Sequence, residues 1–504
     1  MGQKTFTNPV ISGSFPDPSI LRVGEDYYTV HSSFVYFPGV PVFHSRNLVD
    51  WVQIGHVLDR PEQLMLKGIR ANGGIYAPTL RYSNGTYYMI TTSVDGIGNF
   101  YVTATDPAGP WSDPIIVAEP GIDPSLFFDD DGKVYYTQHV GLGDGYIGQA
   151  EIDIRTGKLK GPLQNIWSGI GYEWPEGPHL YKIDGTYYLL IAEGGTSVNH
   201  MITVARSSSP MGPFESFSGN PIFTHKDEPD NPYYAIGHGD IVDSPDGWWL
   251  VCLGVRNSSP QLGREMFLTP IDWKDGWPVS VTDGYVREEL PAPDFGESVL
   301  TTKSVREDFD RDTLPAEWSY VRNPNYQNYS LTERPGFLRL KGSEVSLGEE
   351  DSPTFLGIRQ KHAEARIAAR FDFIPESENE EAGLCIRSTD SYRIDFALRL
   401  AKGKRHAVLQ KVWNDEKEII GSMEVPQTGE VTLEIAASKG EYAFSCTSDA
   451  GDSNLIGRVD ASSYTYEKTR SFMGVVIGVY ASGNGKPNTH PADIDWFEYE
   501  GIEK

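Results

Sequence analysis

Three acidic residues stand out by their setting: Asp17 in Phe15-Pro16-Asp17-Pro18-Ser19, Asp123 in Ile122-Asp123-Pro124-Ser125, and Glu176 in Pro175-Glu176-Gly177-Pro178-His179. Each lies in an apolar, proline-marked stretch, where an ionised carboxylate is costly to bury unless it is paired or put to use. No Cys or Ser nucleophile accompanies them. Convergent carboxylates of this kind point to general acid–base catalysis or to a metal site. Two further stretches have the same character, Tyr76-Ala77-Pro78-Thr79 and Gly237-His238-Gly239-Asp240.

For these stretches to meet, the elements carrying them must converge, and a repeat says how. Each lies about ten residues upstream of a paired-aromatic strand: Tyr27-Tyr28, Tyr87-Tyr88, Tyr135-Tyr136, Tyr187-Tyr188 and Trp248-Trp249. The pairs recur roughly every 48 to 61 residues, each after a turn signal such as Asn84-Gly85 or Asp184-Gly185. Five repeats of about four short strands, without a helical period, predict a five-bladed β-propeller. An irregular β-sandwich of this length would not repeat at such a period. The first strand of every propeller blade lines the central axis, so Asp17, Asp123, Glu176 and His238 are expected at equivalent positions, facing one another.

The 504 residues carry 43 Lys and Arg against 70 Asp and Glu, a formal net charge of −27. That balance excludes nucleic acid and anionic membranes as partners, since both require a positive footprint. With 39% hydrophobic residues, including 27 Tyr, 22 Phe and 11 Trp, the chain can build sizeable cores. The three cysteines, Cys252, Cys385 and Cys446, are widely spaced and fit neither a disulfide framework nor a zinc knuckle. No apolar run approaches the roughly 20 residues of a membrane span, and the N-terminal residues lack the apolar stretch of a secretory signal. A cytoplasmic location is the resulting expectation. Past the linker Glu288–Gly296 the aromatic repeat stops and strict alternation begins, as in Ala365–Phe373 and Met473–Tyr480. This predicts an all-β chain of two domains, a propeller over 1–295 and a sandwich of antiparallel sheets over 296–504. Oligomeric state is left open.

Four ordered motifs, Asn8–Ser19, Gly121–Phe127, Trp174–Leu180 and Ala235–Asp240, resemble those of glycoside hydrolase family 43, in particular its two-domain β-xylosidases and α-L-arabinofuranosidases. The resemblance covers the whole propeller and, more weakly, the C-terminal half, which resembles the family's concanavalin-like domain. It implies an exo-acting, inverting hydrolase that releases terminal xylose from β-1,4-xylo-oligosaccharides, with α-L-arabinofuranosidase activity beside it. Xylo-oligosaccharides and arabinose-containing oligosaccharides are the partners implied. Inversion needs an acid to protonate the leaving oxygen and a base to activate water, about 6.5–9.5 Å apart. The resemblance gives Asp17 the role of base and Glu176 that of acid, with Asp123 raising the pKa of Glu176 and positioning it. An endo-arabinanase of the same family, which would need an open groove, and a non-catalytic glycan-binding propeller are the alternatives.

For substrate binding the resemblance implicates Phe34 as a pocket wall and Arg264 as a donor to sugar hydroxyls; the competing readings are a core Phe and a surface Arg. Tyr76 and Ala77 stand where the family usually carries Trp-Ala-Pro. Trp174 either stacks on sugar or packs between blades, and Thr196 and His200 are placed near the site. No organic cofactor is implied. Calcium is, at two places: an axial cation near His238, and a sandwich ion shared by Asp308 and Asp495, which would otherwise be surface acids on edge strands. The sandwich is expected to pack on the propeller and narrow its pocket.

Overall fold

The computed structural model describes residues 4–298, 304–448, 451, 453–488 and 490–502. Among them, five antiparallel sheets of four or five strands follow one another from Ser19 to Ser280 as the blades of a propeller. The inner strands are Ser19–Val23, Thr79–Ser83, Ile122–Phe128, Glu176–Ile183 and Tyr233–Ser244, numbered here as blades 1 to 5. Every paired aromatic falls on the second strand of its blade, for example Asp26–Val30 and Thr86–Ser93.

The pairing has a packing reason. Successive side chains of a strand point to opposite faces, so two adjacent rings cover both faces of one blade and meet both neighbours. Tyr28 of blade 1 meets Tyr87 of blade 2 edge-on at 5.7 Å, and Tyr88 of blade 2 meets Phe128 of blade 3 at 4.8 Å. Phe127 of blade 3 meets Tyr187 of blade 4 at 6.0 Å, and Tyr188 meets Trp273 of blade 5 at 5.0 Å. The ring closes by returning the N-terminal segment to the last blade. Thr5–Thr7 pairs with Glu289–Pro291, and the Asn8 amide donates to the Leu268 and Arg287 carbonyls at 2.8 and 2.9 Å.

Below the site the axis is tied by Asp240 of blade 5, which is fully buried. Its carboxylate accepts from Ser19 Oγ (2.9 Å) and Ile20 N (3.1 Å) of blade 1, Arg81 Nη1 (3.3 Å) of blade 2 and the Tyr181 hydroxyl of blade 4. Burial alone would raise the pKa of Asp240, but His179 where it is protonated, the charge of Arg81 and the hydroxyl donors hold it below the ordinary carboxylate value.

The chain leaves the propeller after Glu289–Pro291 and enters the sandwich at Ser304–Glu307. Two sheets of eight strands among the described residues enclose a core that includes Ile367, Phe371, Leu384, Phe396, Ile477 and Phe497. One edge of the second sheet is not made by this domain. Tyr36–Phe37 of the propeller extends it by pairing with Ser319–Val321, and Arg322 N donates to Val35 O at 2.7 Å. The three cysteines are free and buried, and no helix among the described residues is long and apolar enough to cross a membrane.

Removing Asp240 leaves Arg81 and several buried donors without their shared acceptor. Asp240→Ala is expected to destabilise the folded chain by about 3–5 kcal/mol, measured by urea unfolding at pH 7. Because the folded pKa of Asp240 lies below that of the unfolded chain (about 3.9), its contribution is complete above that value. The gap between wild type and variant should therefore narrow as pH falls through the lower, folded value.

Candidate active site

The inner strands break register where they reach the cavity: between Ile122 and Ser125 in blade 3, Glu176 and His179 in blade 4, and Gly237 and Asp240 in blade 5. At the break one residue adopts left-handed backbone. It is Asp123 (φ 53°), Gly177 (φ 55°) and His238 (φ 45°) in blades 3, 4 and 5; Asp17 (φ 55°), just before the unbroken inner strand of blade 1, adopts the same backbone. Such bulges re-aim side chains, and at the non-glycine positions Asp17, Asp123 and His238 the left-handed backbone stores about 1–3 kcal/mol of strain each.

This corrects one expectation. Asp17, Asp123 and His238 are blade-equivalent, but the equivalent residue in blade 4 is Gly177, and Glu176 precedes it. A Cβ on Gly177 would stand 2.8 Å from the His238 ring. The acid in blade 4 is thus displaced by one residue, and the freed Gly177 N–H donates to Asp123.

Asp17, Asp123 and Glu176 line one open cavity of about 360 Å³ together with Phe34, Tyr76, Ala77, Ile122, Thr196, His238, Arg264 and Phe472. The three carboxyl groups have different surroundings. Burial pushes Asp17 up, but Arg264 Nη1 donates to Oδ1 at 2.9 Å, Ser32 Oγ donates to Oδ2 at 2.5 Å, and His238 Nδ1 lies 3.8 Å away; together these hold its pKa below the usual range. Among the described residues Glu176 has no such partner. Burial, then the negative charges of Asp123 and Asp17, push its pKa well above the usual value, opposed only by Arg264. Asp123 is also raised by burial, against the opposing charge of His238.

Three aromatics wall the cavity. Phe34 N and O pair with the backbone of Ile75, which sets Phe34 edge-on to Tyr76 at 5.6 Å. Phe472, from the sandwich, completes the group at 5.7 Å from Phe34 and 5.8 Å from Tyr76. Arg264 lies over Phe34 and Phe472, and its Nη2 donates to Phe472 O at 3.2 Å. Asn72 Oδ1 accepts from Phe472 N at 3.1 Å, so the loop is held by the propeller from both sides.

Other expected residues lie elsewhere. Trp174 is outside the cavity lining and packs against His139 at 5.5 Å. His200 is buried behind the wall, its Nδ1 3.2 Å from Ala235 O. Ile122, Ser32 and Phe472 were not singled out from sequence. Ile122 has only the apolar character of any strand residue beside Asp123. Phe472 carries no local signal, since it reaches the site from another domain.

Neither place expected for calcium offers a fitting donor set. At the axis, His238 presents nitrogen to an ion that prefers six to eight oxygens, and the Asp17 oxygens already accept from Arg264 and Ser32. In the sandwich, Asp308 accepts from Arg306 at 2.9 Å, and Asp495 lies 3.9 Å from Arg370. Among the described residues no group of three or more His, Cys, Asp or Glu side chains is placed to hold a metal ion.

The family model described as glycosyl hydrolases family 43 matches residues 6–278, and that of the beta xylosidase C-terminal concanavalin A-like domain matches 306–500. A non-reducing end alpha-L-arabinofuranosidase of Bacteroides ovatus is 46% identical, over 100% of this chain and 96% of that protein. A xylosidase/arabinosidase of Butyrivibrio fibrisolvens is 41% identical, over 98% and 99%. Among solved structures, the GH43B protein of a Bacteroides ovatus xyloglucan PUL superposes with a TM-score of 0.96 at 45% identity, covering 99% of this chain and 100% of that one.

The left-handed backbone at Gly177 and its contact with His238 give a direct test of how the bulges set the site. Gly177→Ala is expected to cost about 1–3 kcal/mol of stability and to lower the initial rate of glycoside hydrolysis at least tenfold. Urea unfolding and initial rates measure the two effects.

Proposed function

The chain belongs to glycosyl hydrolase family 43 and is a glycosidase, and we propose that it removes one terminal pentosyl unit, β-D-xylosyl or α-L-arabinofuranosyl, with inversion of configuration. Its substrates on this reading are xylo-oligosaccharides and arabinose-containing oligosaccharides. The single observation that carries the reading is three carboxyl groups in one cavity with unequal surroundings: Asp17 accepts from Arg264 and Ser32, which lowers its pKa, whereas burial and the charges of Asp123 and Asp17 push that of Glu176 well above the usual value.

In the proposed step Asp17 takes a proton from water as the water oxygen bonds to the anomeric carbon. The bond from that carbon to the leaving oxygen breaks, and Glu176 gives its proton to that oxygen. Asp123 keeps the proton on Glu176 by its negative charge and is itself positioned by Gly177 N–H. Arg264 orients Asp17 and presents donors to sugar hydroxyls. No step passes through a metal ion. The aromatic wall completed by Phe472 bounds the cavity on one side, which supports an exo mode, since an endo mode needs a groove open at both ends. The names of the Bacteroides and Butyrivibrio relatives support both pentosyl groups.

Two measurements test this. Glu176→Ala should lose about 10²–10⁴-fold on xylobiose yet retain most turnover on nitrophenyl β-xyloside or α-arabinofuranoside, whose leaving group needs no proton, whereas Asp17→Ala should lose both. Activity requires Glu176 protonated, so the wild-type rate falls as pH rises through its raised pKa; this alkaline limb should vanish for Glu176→Ala on the aryl substrate. Equal losses for both variants on both substrates would overturn the roles. In a proton NMR time course the first xylose released from a β-xyloside should be the α-anomer, and initial β-xylose would rule out inversion.

A further inference from the structure

Among the described residues no hydrogen bond holds the carboxyl group of Glu176, in contrast to those of Asp17 and Asp123. Its place is therefore set by the backbone that delivers it. Residues 168–175 lead from Gln164–Trp167, on the blade 3 sheet, into the inner strand Glu176–Ile183 of blade 4, and they form neither helix nor strand. Without a ladder of their own, these residues depend on partners from the two blades. Two buried side chains outside the cavity lining, Glu193 and His139, supply them.

Glu193 ends the blade 4 strand Thr186–Glu193. Its Oε1 accepts from Ile170 N at 2.9 Å and Tyr172 N at 3.2 Å, its Oε2 accepts from Thr203 Oγ1 at 2.7 Å, and the Gly171 N–H donates to it as well. Three successive backbone N–H groups cupped around one carboxylate form an anion nest. The close approach requires glycine at 169, where the backbone is left-handed (φ 74°) and a Cβ would stand 2.3 Å from Glu193 Oε1. Burial raises the pKa of Glu193, and these donors pull the other way.

His139 lies on the blade 3 strand Val134–Val140. With its proton on Nδ1 the ring donates to Pro175 O at 2.7 Å, the carbonyl of the residue next to the acid. Its Nε2 lies 3.1 Å from Gly141 O, and Trp174 covers the ring. Backbone bonds continue the attachment to both blades: Trp174 N donates to Gly143 O at 2.7 Å, and Gly194 N donates to Glu173 O at 2.6 Å.

We propose that Glu193 and His139 are positioning residues for the acid, clamping residues 168–175 as a strap that sets the reach of the Glu176 carboxyl group toward the leaving oxygen. The proposal rests on the acid role given to Glu176 above. Neither residue touches the sugar on this reading; both act through the backbone on the N-terminal side of Glu176.

Initial rates on xylobiose and nitrophenyl β-xyloside, with a thermal melt of each variant, test the strap. Glu193→Ala and His139→Leu should each lose about 10–100-fold in kcat on xylobiose, where a misplaced acid counts, and keep most turnover on the aryl substrate, whose leaving group needs no proton. Glu193→Gln, which keeps an acceptor for the strap, and His139→Asn, which keeps a donor near the place of Nδ1, should recover most of the xylobiose rate. If Glu193→Ala does not fold, the His139 pair carries the same test. Equal losses on both substrates would reduce the two residues to a structural role and overturn the proposal, as would conservative variants no better than their counterparts. Loss confined to xylobiose in Glu176→Ala but not in these variants would overturn the strap and leave the acid role standing. Equal losses on both substrates in Glu176→Ala itself would overturn both.

Discussion

A ring of five sheets has no single core; each blade packs only on its neighbours, and the centre must be held by something else. Here it is held by one buried charge. Asp240 gathers donors from blades 1, 2 and 4, so four of the five inner strands share an acceptor below the cavity. At neutral pH His179, whose pKa burial lowers to about 3, accepts from Arg81 at 2.8 Å rather than competing for the carboxylate. A buried ion of this kind gives little net stability compared with an apolar plug. It does fix the rotation of each blade about the axis, because every donor has one correct place.

That fixed frame is what allows several acids to be buried side by side above it. Three carboxylates in one cavity repel, and the repulsion is resolved by unequal surroundings. Arg264 and Ser32 converge on Asp17 and leave it ionised. The negative charge so retained then helps to keep Glu176 protonated. Acid and base are thus one coupled arrangement: strengthening the hold on Asp17 strengthens the proton on Glu176. Arg264 supplies the positive charge that keeps the sum tolerable, and it is itself nearly enclosed.

How much of this the sequence discloses follows from which interactions are local. The paired aromatics were legible because covering two faces of a blade needs two adjacent rings, a constraint that repeats with the blade. The proline-marked inner strands were legible for the same reason, and with them Asp17, Asp123 and His238. The displacement of Glu176 was not. A bulge inserts one residue without changing composition, and only the clash between a Cβ at 177 and the His238 ring explains why glycine occupies the equivalent place. Trp174, two residues before Glu176, has the residue type of a sugar platform, yet its left-handed backbone turns the ring onto His139. Asp308 and Asp495 have the residue type of ion ligands, but Arg306, two residues before Asp308, and Arg370, on the strand beside Asp495, already answer them.

Phe472 lies beyond any reading of local pattern, and its placement shows why the second domain is more than an appendage. Met473 and Gly474 pass so close to the propeller that a Cβ on Gly474 would lie 2.2 Å from the Leu262 carbonyl, while Gly474 N donates to Ser14 Oγ at 2.9 Å. The segment bearing Arg264 begins at Gly263, directly beneath this contact. The sandwich loop therefore presses on the backbone that presents Arg264, and Phe472 lies against its guanidinium. On the far side Tyr36–Phe37 leaves the propeller to extend a sandwich sheet, one residue beyond Val35 and two beyond Phe34. Phe472 is thus held by Asn72 and Arg264 of the propeller, and Phe34 lies two residues before a strand that pairs with the sandwich, so the shape of the cavity is a property of the assembled chain and not of the propeller that supplies its carboxylates.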